Sequence, residues 1–291
     1  MSPQGEKSPP SVLYVVATPI GNLEDITYRA VEVLRSVEMV AAEDTRHTAR
    51  LLSRYKIDTR LISCHEHNEA ERARMLIEKM LAGAQIALVT DAGTPSVSDP
   101  GFRVVLAAIE AGISVVPIPG ASAPIAALSV SGLPSDKFCF AGFLPRKKMR
   151  REELLNRLAE SEQTLIFYES PRRLAVLLKS LLYSLGDRQA MIAREMTKRH
   201  EEYIRGSLSE LIRQIDQRQT VKGEVTVLVS GKASAGEETE RLSADIEEEI
   251  KTAVYREDAP PSQLAAEFAK KYRMPKNKIY QMILDLKKHP G

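Results

Sequence analysis

VLYVVA (residues 12–17) is a short, continuous apolar run followed at once by the loop TPIGNLEDIT (18–27). IALVTD (86–91) and SVVPIP (114–119) are two further runs of the same kind. Continuous apolar runs of this length are typical of parallel strands buried on both faces. Apolar residues spaced three and four apart predict helices between and after these runs, at 27–38, 45–55, 69–82 and 102–111. The alternation predicts an α/β fold with a mainly parallel sheet covered by helices.

A second α/β lobe is predicted after FCFAGFLP (138–145), where basic residues lead into a helix at 151–161. Strand-like and helical segments then alternate, with some antiparallel pairing as the simplest account. The stretch KASAGEE (232–238) has the small and polar residues of a linker. The predicted organisation is a disordered tail at 1–11, a first lobe at 12–142, a second lobe at 143–231, a linker at 232–241 and a small helical domain of helix-turn-helix type at 242–291.

Composition narrows the class of protein. Hydrophobic residues make up 43% of the chain and charged residues 27%, which is ordinary for a globular protein. No apolar run reaches the roughly 18 residues of a membrane span, and the polar amino terminus lacks the apolar stretch of a signal peptide. A cytoplasmic protein with no membrane partner is predicted. Cys64 and Cys139 match no metal-ligand spacing, and His65 and His67 lack a third ligand nearby, so no metal is expected.

Three loops follow the three apolar runs, at 18–27, 91–101 and 119–123, and all are rich in glycine, proline and other small residues. In parallel sheets, ligands bind beyond the carboxyl ends of the strands. Small residues let backbone groups approach a ligand closely, as recognition of an adenosine without phosphates requires. Neither GxGxxG nor GxxxxGK[ST] occurs, so dinucleotide and nucleoside-triphosphate sites have no support. One such loop alone is an ordinary turn, but three at the same strand ends predict a site.

A series of motifs runs along the chain: YVVATPIGNLEDIT, AAEDTRHTARLL, CHEHNE, LVTDAGTPSVSDPG, VVPIPGASA, FAGFLPRKK, FYESPRRL, AREMTK and KGEVTVLVSG. Their order and spacing resemble the tetrapyrrole-methylase (class III methyltransferase) superfamily, and within it the members that methylate a ribose 2′-oxygen on a decoding-centre cytidine of 16S ribosomal RNA. The resemblance implies a two-lobed tetrapyrrole-methylase fold, S-adenosylmethionine in a deep cleft between the lobes, and a homodimer. It also implies 16S rRNA or the 30S ribosomal subunit as the partner, with the assembled particle as the expected substrate.

The resemblance assigns cofactor-contacting residues by position. Many relatives have GGDP where this chain has DAGT at 91–94, and the changed order leaves the role of Asp91 open. The small pair after the third apolar run and four residues of the second lobe complete the assignment. The set implied by the resemblance is Pro19, Gly21, Asp91, Ala92, Gly93, Thr94, Ser122, Ala123, Tyr168, Arg194, Glu195 and Glu224.

The motifs EDTR (43–46) and CHEHNE (64–69) each end a strand-like run, so they are expected at the same rim as the cofactor loops. Methylation of a ribose hydroxyl needs a group that accepts its proton. Glu43 or Asp44 is the predicted proton acceptor or ribose anchor, and Arg46 the predicted phosphate ligand. Positioning of the nucleotide is assigned to His65 and Asn68. Asp44 is equally consistent with capping the next helix, and positioning without a strong base also suffices.

RKKMRR (146–151) is the predicted phosphate-contacting surface, because clustered cations supply the sequence-independent part of RNA affinity. A solvated segment between the lobes is the alternative. Two roles are open for the last helices: their lysines contact RNA, or the helices cap the fold or the dimer. The predicted RNA-binding residues are Arg146, Lys147, Lys148, Arg150 and Arg151.

Two other functions compete with RNA methylation. A small-molecule methyltransferase of the same superfamily, acting on a tetrapyrrole, needs neither the EDTR and CHEHNE motifs nor a basic run. A noncatalytic RNA-binding protein with this fold has no need of an intact set of cofactor loops. Both alternatives are therefore less consistent with the motifs than methyl transfer to RNA.

Overall fold

A computed structural model describes residues 11–233, 249–254, 260–272 and 275–288 of the chain. The chain divides into two compact units, Met1–Lys232 and Ala233–Gly291. The first unit contains two five-stranded sheets, and the second contains helices. Most of the predicted tail and of the predicted linker lies outside the described residues.

The first sheet is wholly parallel, with strand order β3-β2-β4-β1-β5. Buried apolar residues lie on both of its faces, which explains why its central strands are continuous apolar runs. Its strands are β1 (Val12–Val16), β2 (Met39–Ala42), β3 (Arg60–Ser63), β4 (Gln85–Val89) and β5 (Ser114–Ile118). Its helices are α1 (Tyr28–Ser36), α2 (Thr45–Arg54), α3 (Glu69–Leu81), α4 (Phe102–Glu110) and α5 (Ala123–Ser129).

The predicted strands and helices of this lobe are present, and one helix was missed. Helix α5 follows the loop at 119–123 and has only seven residues, with a proline in its first turn. A segment of two turns is too short to display a helical period. The α/β class is confirmed.

The second sheet is mixed, with strand order β6-β7-β10-β8-β9. Strands β6 and β7 are parallel, and the remaining pairs are antiparallel. The strands are β6 (Phe138–Phe143), β7 (Thr164–Glu169), β8 (Gln189–Arg194), β9 (Glu202–Ser207) and β10 (Val225–Val229). The helices are α6 (Lys148–Leu158), α7 (Leu174–Leu185) and α8 (Leu208–Asp216), and the last begins with a capping box of Ser207 and Glu210.

Two boundaries differ from those predicted. All of β6 belongs to the second sheet, so the division placed after residue 142 falls inside a strand. Helix α6 begins at Lys148, inside the basic run, and not at residue 151. Both boundaries were misplaced because of the basic run. The apolar strand β6 ends just before this run, and helix α6 starts within it.

The two lobes meet through an apolar cluster. Ile20, Ala127 and Leu128 of the first lobe pack with side chains from the central strands of the second sheet, among them Ile166, Met191 and Leu228. The other face of the second sheet packs against α6, α7 and α8 around the fully buried Phe167. The junction is therefore built like a core, and the polar loops at the strand ends are left at its edge.

The second unit is helical, as predicted. It comprises α9 (249–254), α10 (Pro261–Tyr272) and α11 (Lys276–Lys288). A small core joins them, formed by Ile250, Leu264, Phe268, Ile279 and Ile283. Across the part of the chain that the structure describes, no helix combines the length and apolarity needed to cross a membrane.

Candidate active site

A cleft of about 340 Å³ lies between the two lobes. Its volume is at the lower end of the range for small-molecule sites, about 300–1000 Å³. The first lobe contributes the loops after β1, β4 and β5, and the second contributes the ends of β6 and β7, the turn after β8 and the start of β10. The lining residues are Ile20, Ala92, Gly93, Thr94, Val97, Asp99, Ser122, Ala123, Pro124, Phe143, Tyr168, Glu169, Ser170, Pro171, Met196, Gly223, Glu224, Val225 and Thr226.

Seven of the predicted cofactor residues line this cleft: Ala92, Gly93, Thr94, Ser122, Ala123, Tyr168 and Glu224. The loops at the ends of β1 and β4 are joined by a pair of backbone hydrogen bonds between Thr18 and Gly93, with N···O distances of 2.9 and 3.1 Å. This pairing brings the first loop to the cleft wall. Asp99, Phe143, Glu169 and Met196 also line the cleft and were not predicted, although all four lie in the motifs quoted above.

The cleft is acidic. Asp99, Glu169 and Glu224 line it, and the described lining includes no lysine, arginine or histidine. Burial raises the pKa of Asp99 to about 6, and the nearby carboxylates of Glu43, Asp91 and Glu224 act in the same direction, whereas a hydrogen bond with Thr90 opposes them. A site without cations is poorly suited to phosphate groups, whereas a surplus of negative charge favours a positively charged ligand group.

Glu224 is held at the cleft by the turn that follows β8. Lys198 Nζ contacts Glu195 Oε1 at 2.9 Å and Glu224 Oε2 at 3.0 Å, and the Glu224 N–H donates to Glu195 Oε1 at 2.9 Å. Burial opposes ionisation of Glu195, but these hydrogen bonds outweigh it and lower its pKa. Glu195 has a left-handed backbone (φ +52°), a conformation that costs free energy and persists only where the surroundings enforce it. Glu195 thus supports the wall of the cleft without lining it.

Pro19, Gly21, Asp91 and Arg194 also lie outside the lining. A Cβ atom at Gly21 would stand 2.6 Å from Lys198 Cγ, so glycine permits the first-lobe loop to approach the turn after β8. The Asn22 N–H donates to Thr197 Oγ1 there at 3.0 Å. Arg194 is occupied at the edge of the sheet, where its Nε contacts Glu202 Oε2 at 3.0 Å. These contacts place Gly21 at the lobe junction and Arg194 within the second lobe.

The EDTR motif lies beside the start of the loop that follows β4. Thr90 Oγ1 donates to Glu43 Oε2 at 2.6 Å, and the Asp91 N–H approaches the same oxygen at 3.3 Å. The Asp44 N–H donates to Asp91 Oδ1 at 3.1 Å. These hydrogen bonds join the ends of β2 and β4. Asp91 therefore has a structural role at the start of the 91–101 loop.

Asp44 caps helix α2, which was the alternative to a catalytic role. Its Oδ1 accepts the Arg46 N–H at 2.8 Å, and its Oδ2 pairs with Arg46 Nη2 at 2.7 Å. Hydrogen bonds from the side chain and backbone of Arg46 hold the pKa of Asp44 well below its usual range. An acid this strong is a weak proton acceptor, so Asp44 is a poor choice for the base.

The CHEHNE motif forms a turn whose last residue reaches the cofactor loop. Asn68 Oδ1 accepts the His65 N–H at 2.8 Å, and neither residue lines the cleft. The buried carboxylate of Glu69 accepts the N–H groups of Gly101 and Arg103 at 2.9 and 2.8 Å. Glu69 therefore fixes the start of α4 and the end of the 91–101 loop. In the described residues, no group of three or more potential metal ligands is assembled.

The basic run follows β6 in the sequence, and the last residue of β6 lines the cleft. Phe143 lines the cleft, remains 58% exposed, and stands 5.4 Å from Tyr168 between ring centroids. The predicted RNA-binding residues begin three positions later, after β6 ends. Arg151 is half-buried, whereas the other four are exposed: Arg146, Lys147, Lys148 and Arg150. Exposed cations and an exposed aromatic ring thus lie in one short segment.

Replacing Gly223 with alanine is expected to destabilise the protein and weaken ligand binding in the cleft. A Cβ atom at Gly223 would stand 2.3 Å from Glu195 Cδ, and the backbone is left-handed (φ +93°). The matched control is Gly186→Ala, where φ is +81° and no atom lies within 4 Å of the added Cβ. Urea unfolding should show a loss larger by about 1–3 kcal/mol at Gly223, the usual cost of overpacking. Equal losses would contradict the described contact with Glu195.

Residues 12–212 match the family described as Tetrapyrrole (Corrin/Porphyrin) Methylases. The chain therefore belongs to the tetrapyrrole methylase family, and the resemblance predicted from its motifs is confirmed. It is 48% identical over 241 residues to "Ribosomal RNA small subunit methyltransferase I" of Micromonospora olivasterospora, covering 83% of this chain and 77% of that protein. The protein with the same name from Vibrio cholerae is 46% identical over 279 residues, covering 94% of each.

Solved structures agree with the fold. Diphthine synthase superposes with a TM-score of 0.58 at 17% identity, covering 79% of this chain and 94% of that one. A cobalt precorrin-4 methyltransferase superposes with a TM-score of 0.56 at 17% identity, covering 76% and 95%. At these identities the likeness concerns the fold, and it confirms the two-lobed architecture.

Proposed function

We propose that this protein transfers a methyl group from S-adenosylmethionine to the ribose 2′-oxygen of a cytidine in the decoding centre of 16S rRNA. The observation that carries the proposal is an acidic cleft without cations in its described lining, at the end of a strand that leads into an exposed basic run. Relatives named for rRNA methylation, 43–48% identical over most of the chain, support it. Neither a tetrapyrrole substrate nor a purely binding function calls for both features.

The residues of the cleft fit S-adenosylmethionine. This cofactor combines an uncharged adenosine with a sulfonium, an ammonium and a carboxylate group, so its net charge is positive, and it supplies an electrophilic methyl. Small residues from two loops leave room for the adenosine and expose backbone groups, while the acidic lining as a whole favours a positively charged ligand. The residues that would hold it are Ala92, Gly93, Thr94, Ser122, Ala123, Tyr168, Met196 and Glu224.

The protein's main contribution to the reaction is alignment. The attacking oxygen, the methyl carbon and the leaving sulfur must lie in line, and holding reactants in such geometry supplies several kcal/mol of the barrier. Apolar side chains in the lining, such as Ile20 and Val225, exclude water. Burial, with the charges of Asp99 and Glu224, raises the pKa of Tyr168. Its phenol therefore stays protonated and is available as a hydrogen-bond donor within the cleft.

The exposed basic run is proposed to bind the RNA backbone next to the target nucleotide. Clustered cations attract phosphates without regard to sequence, so the target would be selected by shape, as expected for a folded RNA. We propose the 30S subunit as the substrate, which requires a cytoplasmic location. Cys64 and Cys139 are unpaired, which is consistent with a reducing compartment.

We also propose a homodimer, supported by one face of helix α4. Phe102, Leu106 and Ile109 follow one another at helical spacing and are 64%, 41% and 59% exposed. Contiguous exposed apolar side chains are typical of a subunit interface. Analytical ultracentrifugation should give twice the chain mass for the native protein and a monomer for Phe102→Glu/Ile109→Glu. A native monomer at micromolar concentration would contradict the proposal.

Methyl transfer to three substrates tests the function. Purified protein and radiolabelled S-adenosylmethionine are incubated with 30S subunits from cells lacking this protein, with naked 16S rRNA, or with a reduced tetrapyrrole. We expect label in the 30S subunit, recovered after digestion as 2′-O-methylcytidine. Label only in the tetrapyrrole would move the function to small-molecule methylation, and cofactor binding without transfer would leave an RNA-binding role.

A further inference from the structure

The three carboxylates of the cleft differ in their partners. Glu169 pairs with Arg173 at 3.2 Å, and Glu224 pairs with Lys198 at 3.0 Å. Asp99 has no ion pair among the residues that the structure describes. It is therefore the cleft carboxylate whose oxygens are not already neutralised by a cation.

The loop that carries Asp99 is held in one conformation. Ser96 and Ser98 both have left-handed backbones, with φ of +69° and +66°. Such conformations cost of order 1–3 kcal/mol each and persist where the surroundings over-determine them. The loop ends at Gly101 (φ +129°), whose N–H is bound by the buried Glu69. Asp99 is thus presented to the cleft by a strained loop that is anchored two residues later.

We propose that Asp99 is the catalytic base that accepts the proton of the ribose 2′-hydroxyl, an inference that rests on the proposed function. The other candidates are more fully engaged, because Asp44 is paired with Arg46 and one oxygen of Glu43 accepts from both Thr90 and the Asp91 N–H. Asp99 has a single side-chain hydrogen bond, from Thr90, and no cation partner among the described residues. Glu69 is a positioning residue, since it acts on Asp99 through the backbone of the loop. This role explains why CHEHNE, whose histidines do not line the cleft, accompanies DAGTPSVSDPG.

The step balances without any further reactant. As the new C–O bond forms between the 2′-oxygen and the methyl carbon, the C–S bond of the cofactor breaks and its electron pair stays on sulfur. The hydroxyl proton moves to the Asp99 carboxylate. The products are a 2′-O-methylated nucleotide, S-adenosylhomocysteine and a protonated Asp99, which then releases its proton to water.

The charges around Asp99 suit this role. Glu43, Asp91 and Glu224 face it as acids, and Tyr168 lies in the same cleft. Burial and these acids raise its pKa to about 6 against the opposing effect of a hydrogen bond from Thr90, so the carboxyl group is mostly protonated at pH 5 and mostly ionised at pH 7.5. Since only the ionised form accepts a proton, activity should rise with pH through this range.

Asp99→Asn tests the proposal. We expect kcat at saturating cofactor to fall about 100-fold or more, the usual contribution of a general base, with the dissociation constant for S-adenosylmethionine changed less than threefold. For the wild type, kcat/KM for the cofactor should rise to a plateau with a midpoint near pH 6, and the variant should lose this rise. Asp58→Asn, at an exposed loop position, is the matched control and should behave as wild type.

A second variant distinguishes loss of the carboxylate from misfolding of the protein. Asp99→Ala should lose the same activity and regain part of it when formate is added as a substitute carboxylate. A wild-type kcat in Asp99→Asn would overturn the assignment. So would a rise in the cofactor dissociation constant with an unchanged kcat, because Asp99 would then be a cofactor ligand. Absence of RNA methylation by the wild-type protein would instead overturn the proposed function.

Discussion

Replacing Ser122 with tryptophan is expected to abolish binding of S-adenosylmethionine while leaving the protein folded. Ser122 lines the cleft and precedes α5, and its side chain makes no capping hydrogen bond, so its loss removes no helix stabilisation. An indole in a cleft of about 340 Å³ takes the space that the adenosine needs. Isothermal titration should show affinity reduced by about 100-fold or more, since drug-sized ligands depend on near-complete burial.

Ser122→Ala is the matched control, because it changes the same position without filling the cleft. Its affinity should stay within about threefold of the native protein, a difference of less than 1 kcal/mol. Circular dichroism and urea unfolding should be unchanged for both variants. Native affinity in Ser122→Trp would place the cofactor outside the interlobe cleft.

Removing two cations from the basic run is expected to weaken binding of the 30S subunit by about 100-fold near physiological salt, with cofactor affinity unchanged. The variant is Lys147→Ala/Arg150→Ala, at two exposed positions near the start of α6. Each phosphate contact contributes about 0.9 to the slope of log affinity against log salt. The slope should therefore fall by about 2.

Lys179→Ala/Arg213→Ala is the matched control. It removes the same charge from exposed positions on α7 and α8, on helices that contribute no residue to the cleft. Its salt dependence should equal that of the native protein. If both variants lose affinity equally, the net charge of the protein governs binding and the basic run has no special role.

Local patterns predicted most of the fold. The strands of the first sheet are buried on both faces and the helices are amphipathic, so both were visible as periodicity. Helix α5 was not predicted because its seven residues form only two turns. Strand β6 was assigned to the wrong lobe because strand pairing depends on residues far away in the sequence. Burial alone cannot show which sheet an apolar segment joins.

The candidate site was predicted less completely for the same reason. Loops that end neighbouring strands could be placed together, and seven residues assigned by resemblance do line the cleft. Contacts between distant segments were not visible, such as Glu69 with Gly101 or Lys198 with Glu224. The sequence also offers no sign that Asp99 lacks a cation partner, because ion pairing depends on the folded neighbourhood.

Nucleoside mapping in cells tests most directly whether this interlobe cleft serves methylation of the small-subunit RNA. 16S rRNA is taken from cells lacking the protein, and from the same cells expressing either the native protein or Ser122→Trp. The methylation state of each cytidine ribose is then read by digestion and mass spectrometry. We predict that one decoding-centre 2′-O-methylcytidine is absent from the first cells, restored by the native protein and not restored by Ser122→Trp. An unchanged methylation pattern in all three would show that the cleft does not serve this methylation.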